Sequence, residues 1–400
     1  MWCYNLPTAN DEVAAIIPGD GSEEWSNHRD ILLRLHGGQL RCISHMHPSY
    51  ASLHYVVLFP HGEDGWHTDI PAHHSAAGRR RASNVSEMCY HAYHLHPKPG
   101  EQPPLFWGGN LLQQYVVDAW ASIEQSKLNW IRNHQKELRA DVYSGLRDAA
   151  IGDRDENINL ADHGTRIILP SSHMGSDRYM GQLFQDSMAI CRTFQKPDLF
   201  ITMTANPNWP EIQDALLQEE LLDPDSNAHG KKQTAYNRPD IVTHVFEQKK
   251  NALLKDIRGG VFGKVLANIH TVEFQKRGLP HMHLLTFLDP ADKIHNANDI
   301  DSIVWAQLPD PVTQPLLYDT ITTCMLHGPC GTIKPKASCM ADKKCSKRYP
   351  KEFRDHTAFN PNNYPEYARP NNGRTIEKGR PLHLYNNRDV IPYNPYLAAK

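Results

Sequence analysis

Residues 261–288, VFGKVLANIHTVEFQKRGLPHMHLLTFL, read as two apolar strands joined by a short polar turn that holds Gly278 and Pro280. Strand side chains alternate between faces, so His281 and His283 leave the same face while Met282 points the other way. Two imidazoles two residues apart are a metal-ligand pair for a strand. The helical zinc-protease motif spaces its histidines by four and is not matched. A third ligand then has to come from the neighbouring strand. If the hairpin is symmetric about Arg277, Glu273 lies opposite His281 and Thr271 opposite His283, and opposed residues share a face. Two neutral imidazoles and one carboxylate suit Mn2+ or Mg2+, with positions left open for water or a phosphate oxygen. A one-residue slip would turn Glu273 to the wrong face.

The segment EFQKRGLPHMHLLTFL at 273–288 resembles the replication-initiator motif of Helitron-type rolling-circle transposases, which are HUH endonucleases named for a His-hydrophobic-His motif. Further segments resemble the same family in the same order. They are HPSYASLHYVVLFPHGEDGWH at 47–67, NLLQQYVVDAWASIEQSKLNWIRNHQ at 110–135, LPSSHMGSDRYMGQLFQDSMAICR at 169–192, PDLFITMTANPNWPEI at 197–212, HGPCG at 327–331 and VIPYNPYLAAK at 390–400. The resemblance implies a small sheet-and-helix endonuclease core and single-stranded DNA as partner. It also implies cleavage by tyrosine through a 5′-phosphotyrosine link, with a metal polarising the scissile phosphate. It makes 198–204 the strand beside the histidine strand, with Thr204 and Asn206 in contact with DNA along with Arg277.

The same resemblance implies a helicase portion elsewhere in a full-length protein. No G-x-x-x-x-G-K-[ST] loop occurs here, so no ATPase is expected. The family's paired tyrosines lie one turn apart on a helix that follows the segment like VIPYNPYLAAK. Tyr393 and Tyr396 are three apart, but Pro392 and Pro395 prevent a regular helix through both. The chain is therefore expected to stop short of its nucleophiles.

Bulk properties set the outer bounds. Four hundred residues allow two or three domains, and a net charge of -3 means that any nucleic-acid surface must come from local clusters. Eight irregularly spaced cysteines do not form the framework of a small secreted domain, which favours a reducing compartment. Without a signal sequence or a long apolar run, the chain is expected to be intracellular with no membrane partner, and nuclear if eukaryotic.

Along the chain, four blocks are expected: an irregular His- and Pro-rich region at 1–105, a long helix and linker at 106–165, the endonuclease-like core at 166–310, and a Cys/His, basic segment at 311–400. In the first, 53–59 is read as strand and 84–96 as a short helix. The Arg79, Arg80 and Arg81 run is read as a solvated face, and His45, His47, His61 and His67 as ordinary side chains. Residues 110–139 carry an apolar stripe through Leu112, Tyr115, Val116, Ala119 and Ile123, which predicts a helix with Trp120 and Trp130 in the core. Helices are likewise expected at 177–192, 210–222 and 239–257, a strand at 198–204, and a linker at 139–162. Helices on one face of an antiparallel sheet give an α+β fold.

The last block holds a second cluster. His327, Cys330, Cys339 and Cys345 supply one imidazole and three thiols within a short Gly- and Lys-rich stretch, a set that suits tetrahedral Zn2+. Lys343, Lys344, Lys347, Arg348 and Lys351 crowd around it with Tyr349 between them, a pattern that can hold single-stranded DNA by phosphate contact and stacking. The function expected is the metal-binding portion of a Helitron-like transposase. The alternatives are a non-cleaving DNA-binding module and a nuclease that activates water at the His-His-Glu set.

Overall fold

The computed structural model describes residues 13–17, 31–34, 40–72, 84–96, 98, 104–135, 165–216, 233–275, 278–360, 364–380 and 382–399. The arginine run at 79–81, the linker at 139–162, the pair Lys231 and Lys232, and Arg277 lie outside the described residues. The fold is α+β with small antiparallel sheets. The chain forms two compact units: Met1–Thr193, Thr204–Phe246 and Phe274–Pro280 in the first, and Phe194–Met203, Glu247–Glu273 and His281–Lys400 in the second.

In the first unit, strand β1 (Val13–Ile17) pairs antiparallel with β4 (Thr165–Ile168), and β2 (Ile31–Arg34) with β3 (Leu40–Ile43). Its helices are α1 (Tyr50–His54), α2 (Glu87–His94), α3 (Asn110–Asn133), α4 (Asp177–Phe194) and α5 (Pro210–Ala215). Helix α3 organises the core: Leu112, Tyr115, Ala119 and Ile123 are buried at helical spacing, and Leu112 and Tyr115 pack with Tyr55, Leu58, Phe59, Leu105 and Phe106. The expected strand at 53–59 is instead the end of α1 followed by turns, with Leu58 N donating to Tyr55 O at 2.9 Å. Tyr55, Leu58 and Phe59 are buried at i, i+3 and i+4 while Val56 and Val57 are exposed, a spacing that no alternating strand produces.

Trp120 and Trp130 are half-exposed rather than in the core. They fall off the buried stripe of α3, with Lys127 Nζ 5.2 Å from the Trp120 ring and Trp130 stacked on His134 at 4.4 Å. Serine caps α2: Ser86 Oγ accepts from Cys89 N at 3.3 Å, satisfying one of the orphan donors of the first turn.

In the second unit, β5 (Leu199–Thr204), β6 (Val265–Phe274) and β7 (Pro280–Leu288) form a sheet in the order β5-β7-β6, so the histidine strand is central. Met282 and Leu284 are fully buried on one face of β7. Helix α6 (Pro239–Arg258) contributes its second half to this unit, with Leu254 and Ile257 buried. His270 of β6 points away from the Glu273 face, and burial first, then Lys250 and Arg258 of α6, hold its pKa below the ordinary value. Asp198 locks the sheet end: its N donates to Thr286 O at 2.9 Å and its carboxylate accepts from Leu288 N at 2.8 Å.

Beyond the sheet come α7 (Ala297–Ile303), closed by a capping box between Asn296 and Asp299, and α8 (Pro315–Cys324). Three two-stranded hairpins follow: β8 (Met340–Ala341) with β9 (Lys344–Cys345), β10 (Ala358–Phe359) with β11 (Pro365–Glu366), and β12 (Ile376–Lys378) with β13 (His383–Tyr385). Leu308, Leu317, Ile321, Val390 and Tyr393 form the core beneath them. Buried Arg369 completes it by donating from one guanidinium nitrogen to Asn387 O at 2.6 Å and Val390 O at 2.7 Å. The chain then enters α9 (Pro395–Ala398).

Candidate metal centres

The hairpin that bears the two histidines is fixed at its tip by Gln275 N donating to Leu279 O at 2.9 Å. Stepping back two residues on each strand sets Glu273 across from His281 and Thr271 across from His283. The His281 and His283 rings meet edge to face at 4.5 Å, and His283 Nε2 lies 3.8 Å from Glu273 Oε2. Burial first, and His283 next, hold the His281 pKa below the ordinary histidine value, partly opposed by Glu273, so the imidazole is in its neutral, ligand form near neutral pH. His283 Nδ1 is buried and has no hydrogen-bond partner. Phe200 of β5 lies parallel to that ring, 5.5 Å away at an interplanar angle of 8°. Glu273 is exposed and has rotamer freedom to close on an ion. Two imidazoles and one carboxylate are donor types that a divalent cation takes, but their atoms are not gathered as closely as those of the Cys/His group described below.

On β5, exposure alternates, and Phe200, Thr202 and Thr204 are the exposed set while Leu199, Ile201 and Met203 are half-buried. Thr204 thus faces the same way as the ring stacked on His283. Asn206 forms the turn that ends the strand, its Oδ1 accepting from Asn208 N at 3.0 Å.

The second centre is tighter. His327, Cys330, Cys339 and Cys345 bring one ligand atom each within 4.8 Å of one another, and among the described residues they are the one group of three or more such side chains so drawn together. Within it, Cys345 Sγ lies 3.3 Å from His327 Nε2. Bonds of about 2.3 Å to sulfur and 2.0 Å to nitrogen in a tetrahedron require ligand atoms roughly 3.5–3.8 Å apart, so zinc fits the set.

Local structure explains the convergence. His327 is held by its N donating to Asp389 O at 2.9 Å, while Cys339 and Cys345 flank the β8–β9 hairpin, closed by Ser346 N to Cys339 O at 2.7 Å. The hairpin turn places Asp342 and Lys343 at φ of 49° and 62°, the left-handed pair that a tight two-residue turn demands.

The thiols act on one another. Burial first, then hydrogen bonds with Cys345 and Cys339, pushes the Cys330 thiol up to about 12. Burial acts on Cys345 in the same sense, but the backbone N–H groups of Tyr349 and Lys347 outweigh it and hold that thiol below its ordinary value. A cation placed among them would displace the remaining protons.

Lys343, Lys344, Lys347 and Arg348 are all exposed around this centre. Tyr349 is not an open platform among them. Its ring stacks on His327 at 4.2 Å, with Lys351 Nζ 5.0 Å and the Arg369 guanidinium 5.8 Å from its centroid. Sequence spacing could not reveal that the His327 imidazole takes up the tyrosine face.

Tyr393 is buried, its hydroxyl donating to Gln307 O at 2.9 Å, and burial raises its pKa far above the ordinary tyrosine value. Tyr396 is exposed in the first turn of α9, which starts at Pro395 under an Asn394 cap. The two tyrosines thus do not share a helix, for the reason the prolines give. In the first unit, His45 and His47 line a cavity of about 50 Å³ together with Glu87, His91 and Asp118. Its polar groups are mutually engaged: Ser122 and Ser126 donate to Glu87 at 2.5 and 3.1 Å, Tyr115 contacts His91 Nδ1 at 3.2 Å, and Tyr55 donates to Asp118.

Residues 90–286 match the family model of the Helitron helicase-like domain at the N-terminus. No curated protein matches the chain. Among the described residues, no helix is long and apolar enough to cross a membrane.

Proposed function

We propose that the chain, whose residues 90–286 match the family model of the Helitron helicase-like domain, is the metal-dependent, DNA-binding portion of a Helitron-type rolling-circle transposase and that its β5-β7-β6 sheet is an HUH endonuclease core. The observation that carries this reading is the presentation of His281 and His283 on one face of the central strand, with Glu273 3.8 Å from His283. Mn2+ or Mg2+ held there supplies charge to polarise a scissile phosphate. The chain's own residues hold the strand. Thr204, Asn206 and Arg277 contact the DNA. Lys343, Lys344, Lys347 and Arg348 bind phosphates around the Cys/His centre, which holds Zn2+ as a structural staple. Single-stranded DNA is the partner, and the helicase portion of a full-length protein acts downstream of it.

The test is thermal unfolding with and without Mn2+. Saturating ion raises the melting temperature of the wild type, since an ion that binds only the folded state stabilises it by about 2.7 kcal/mol at a hundredfold excess over Kd. The double variant His281→Ala, His283→Ala shows no rise. Equal shifts in both proteins would remove the ion from this face and with it the reading.

A further inference from the structure

Phe200 stands out on this face because its exposure has no packing explanation. It lies on β5, an edge strand of the described sheet, and remains 64% exposed although one ring face lies parallel to His283. A large apolar ring left in water forgoes the stabilisation of burial. Its strand neighbours facing the same way, Thr202 and Thr204, are small and polar and give it no apolar company. The sheet does bury aromatics elsewhere: Phe287 on β7 is buried and packs 6.1 Å from Phe194. The open face of Phe200 thus continues a column that begins at the His283 imidazole.

We propose that Phe200 is a stacking platform for one nucleobase of the DNA strand, setting the register in which a phosphate reaches His281, His283 and Glu273. This deepens the proposed function and rests on it. A nucleobase and a phosphate belong to the same strand, so a base seated on Phe200 limits which phosphate can approach the adjoining ligands. Every base has a π face, so the platform holds the strand without choosing a sequence. The polar Thr202 beside it suits a sugar-phosphate backbone better than an apolar protein partner, and the histidine side of the column is where an anion is drawn.

The experiment measures filter binding of the full chain to a short mixed-sequence single-stranded oligonucleotide in Mg2+. In parallel it follows the emission of 2-aminopurine placed at successive positions along the oligonucleotide. Wild type is expected to quench the fluorophore at one position; Phe200→Ala and Phe200→Leu are expected to lose that quenching and roughly tenfold or more in affinity, and Phe200→Trp to keep both. The Mn2+ melting shift should be unchanged in all three variants, which a residue that only props His283 would not allow. Wild type that binds no single-stranded DNA would overturn the proposed function itself. Wild type that binds, with Phe200→Leu within twofold of it or with the Mn2+ shift lost in Phe200→Leu, would overturn the platform alone.

Discussion

His91 shows how one half-buried imidazole sets a pH limit on this chain. Burial first, and His94 beside it, depress its pKa from 6.5 to about 4 in the folded protein. Below pH 6.5 the unfolded chain binds a proton at this position that the folded one refuses, so acid favours unfolding until the folded imidazole itself titrates near 4. The stability is present above pH 6.5 and is lost between 6.5 and 4. At pH 5 the loss from this group is on the order of 1–2 kcal/mol after allowance for its partial solvation. His91→Gln is expected to flatten the dependence of melting temperature on pH between 7 and 5; an unchanged slope would assign the pH response to other groups. At this scale the sequence was legible where a period of two decided the matter, as for His281 and His283. It was silent on Arg369, whose burial depends on carbonyls at Asn387 and Val390, and on Phe200, whose partner lies on a strand more than seventy residues away.

Among the elements, the β8–β9 hairpin carries the clearest expectation. It has two residues in each strand and no buried apolar side chain of its own, so a zinc ion held by His327, Cys330, Cys339 and Cys345 would substitute for a core. Purified protein is expected to hold about one zinc per chain, and Cys330→Ser with Cys339→Ser to hold none. Hydrogen exchange from 324 to 351 should quicken in the chelated wild type; protein prepared without chelators and free of zinc would count against the staple. Element types were well marked in the sequence where an apolar stripe ran for several turns, as in α3 and α6. The strand expected at 53–59 failed because Tyr55, Val56, Val57, Leu58 and Phe59 are apolar throughout, and a short apolar run gives no period until α3 selects which three residues to bury. Trp120 and Trp130 misled for a related reason: size argues for burial, but the helical angle assigns them to the outer surface.

For the whole molecule, a net charge of -3 means that the proposed DNA binding must rest on local basic clusters. Affinity for single-stranded DNA should fall steeply with salt through counterion release, and Lys343→Ala, Lys344→Ala, Lys347→Ala together should reduce the slope of log affinity against log salt by roughly two units at 0.7 per phosphate contact. Binding indifferent to ionic strength would point to another partner. With Mn2+ and end-labelled single strands, the 400-residue chain is expected to bind without a covalent adduct. The Tyr393 phenol is spent on Gln307 O, and Tyr396 lies outside the paired-tyrosine helix that the family resemblance calls for. A shifted band on a denaturing gel that Tyr396→Phe abolishes would make Tyr396 the nucleophile instead.

The anchoring of His327 reaches further than its imidazole. Its backbone N bonds Asp389 O, Ile391 N bonds Met325 O at 2.8 Å, and two residues later Tyr393 exchanges bonds with Trp305 at 2.8 and 2.9 Å before the chain turns into α9. The segment that bears His327 and the approach to the last helix are thus tied by short backbone bridges. If an ion sits at the cysteines, draining it is expected to blur the tyrosine ring signals of Tyr393 more than fifty residues along the chain from Cys339.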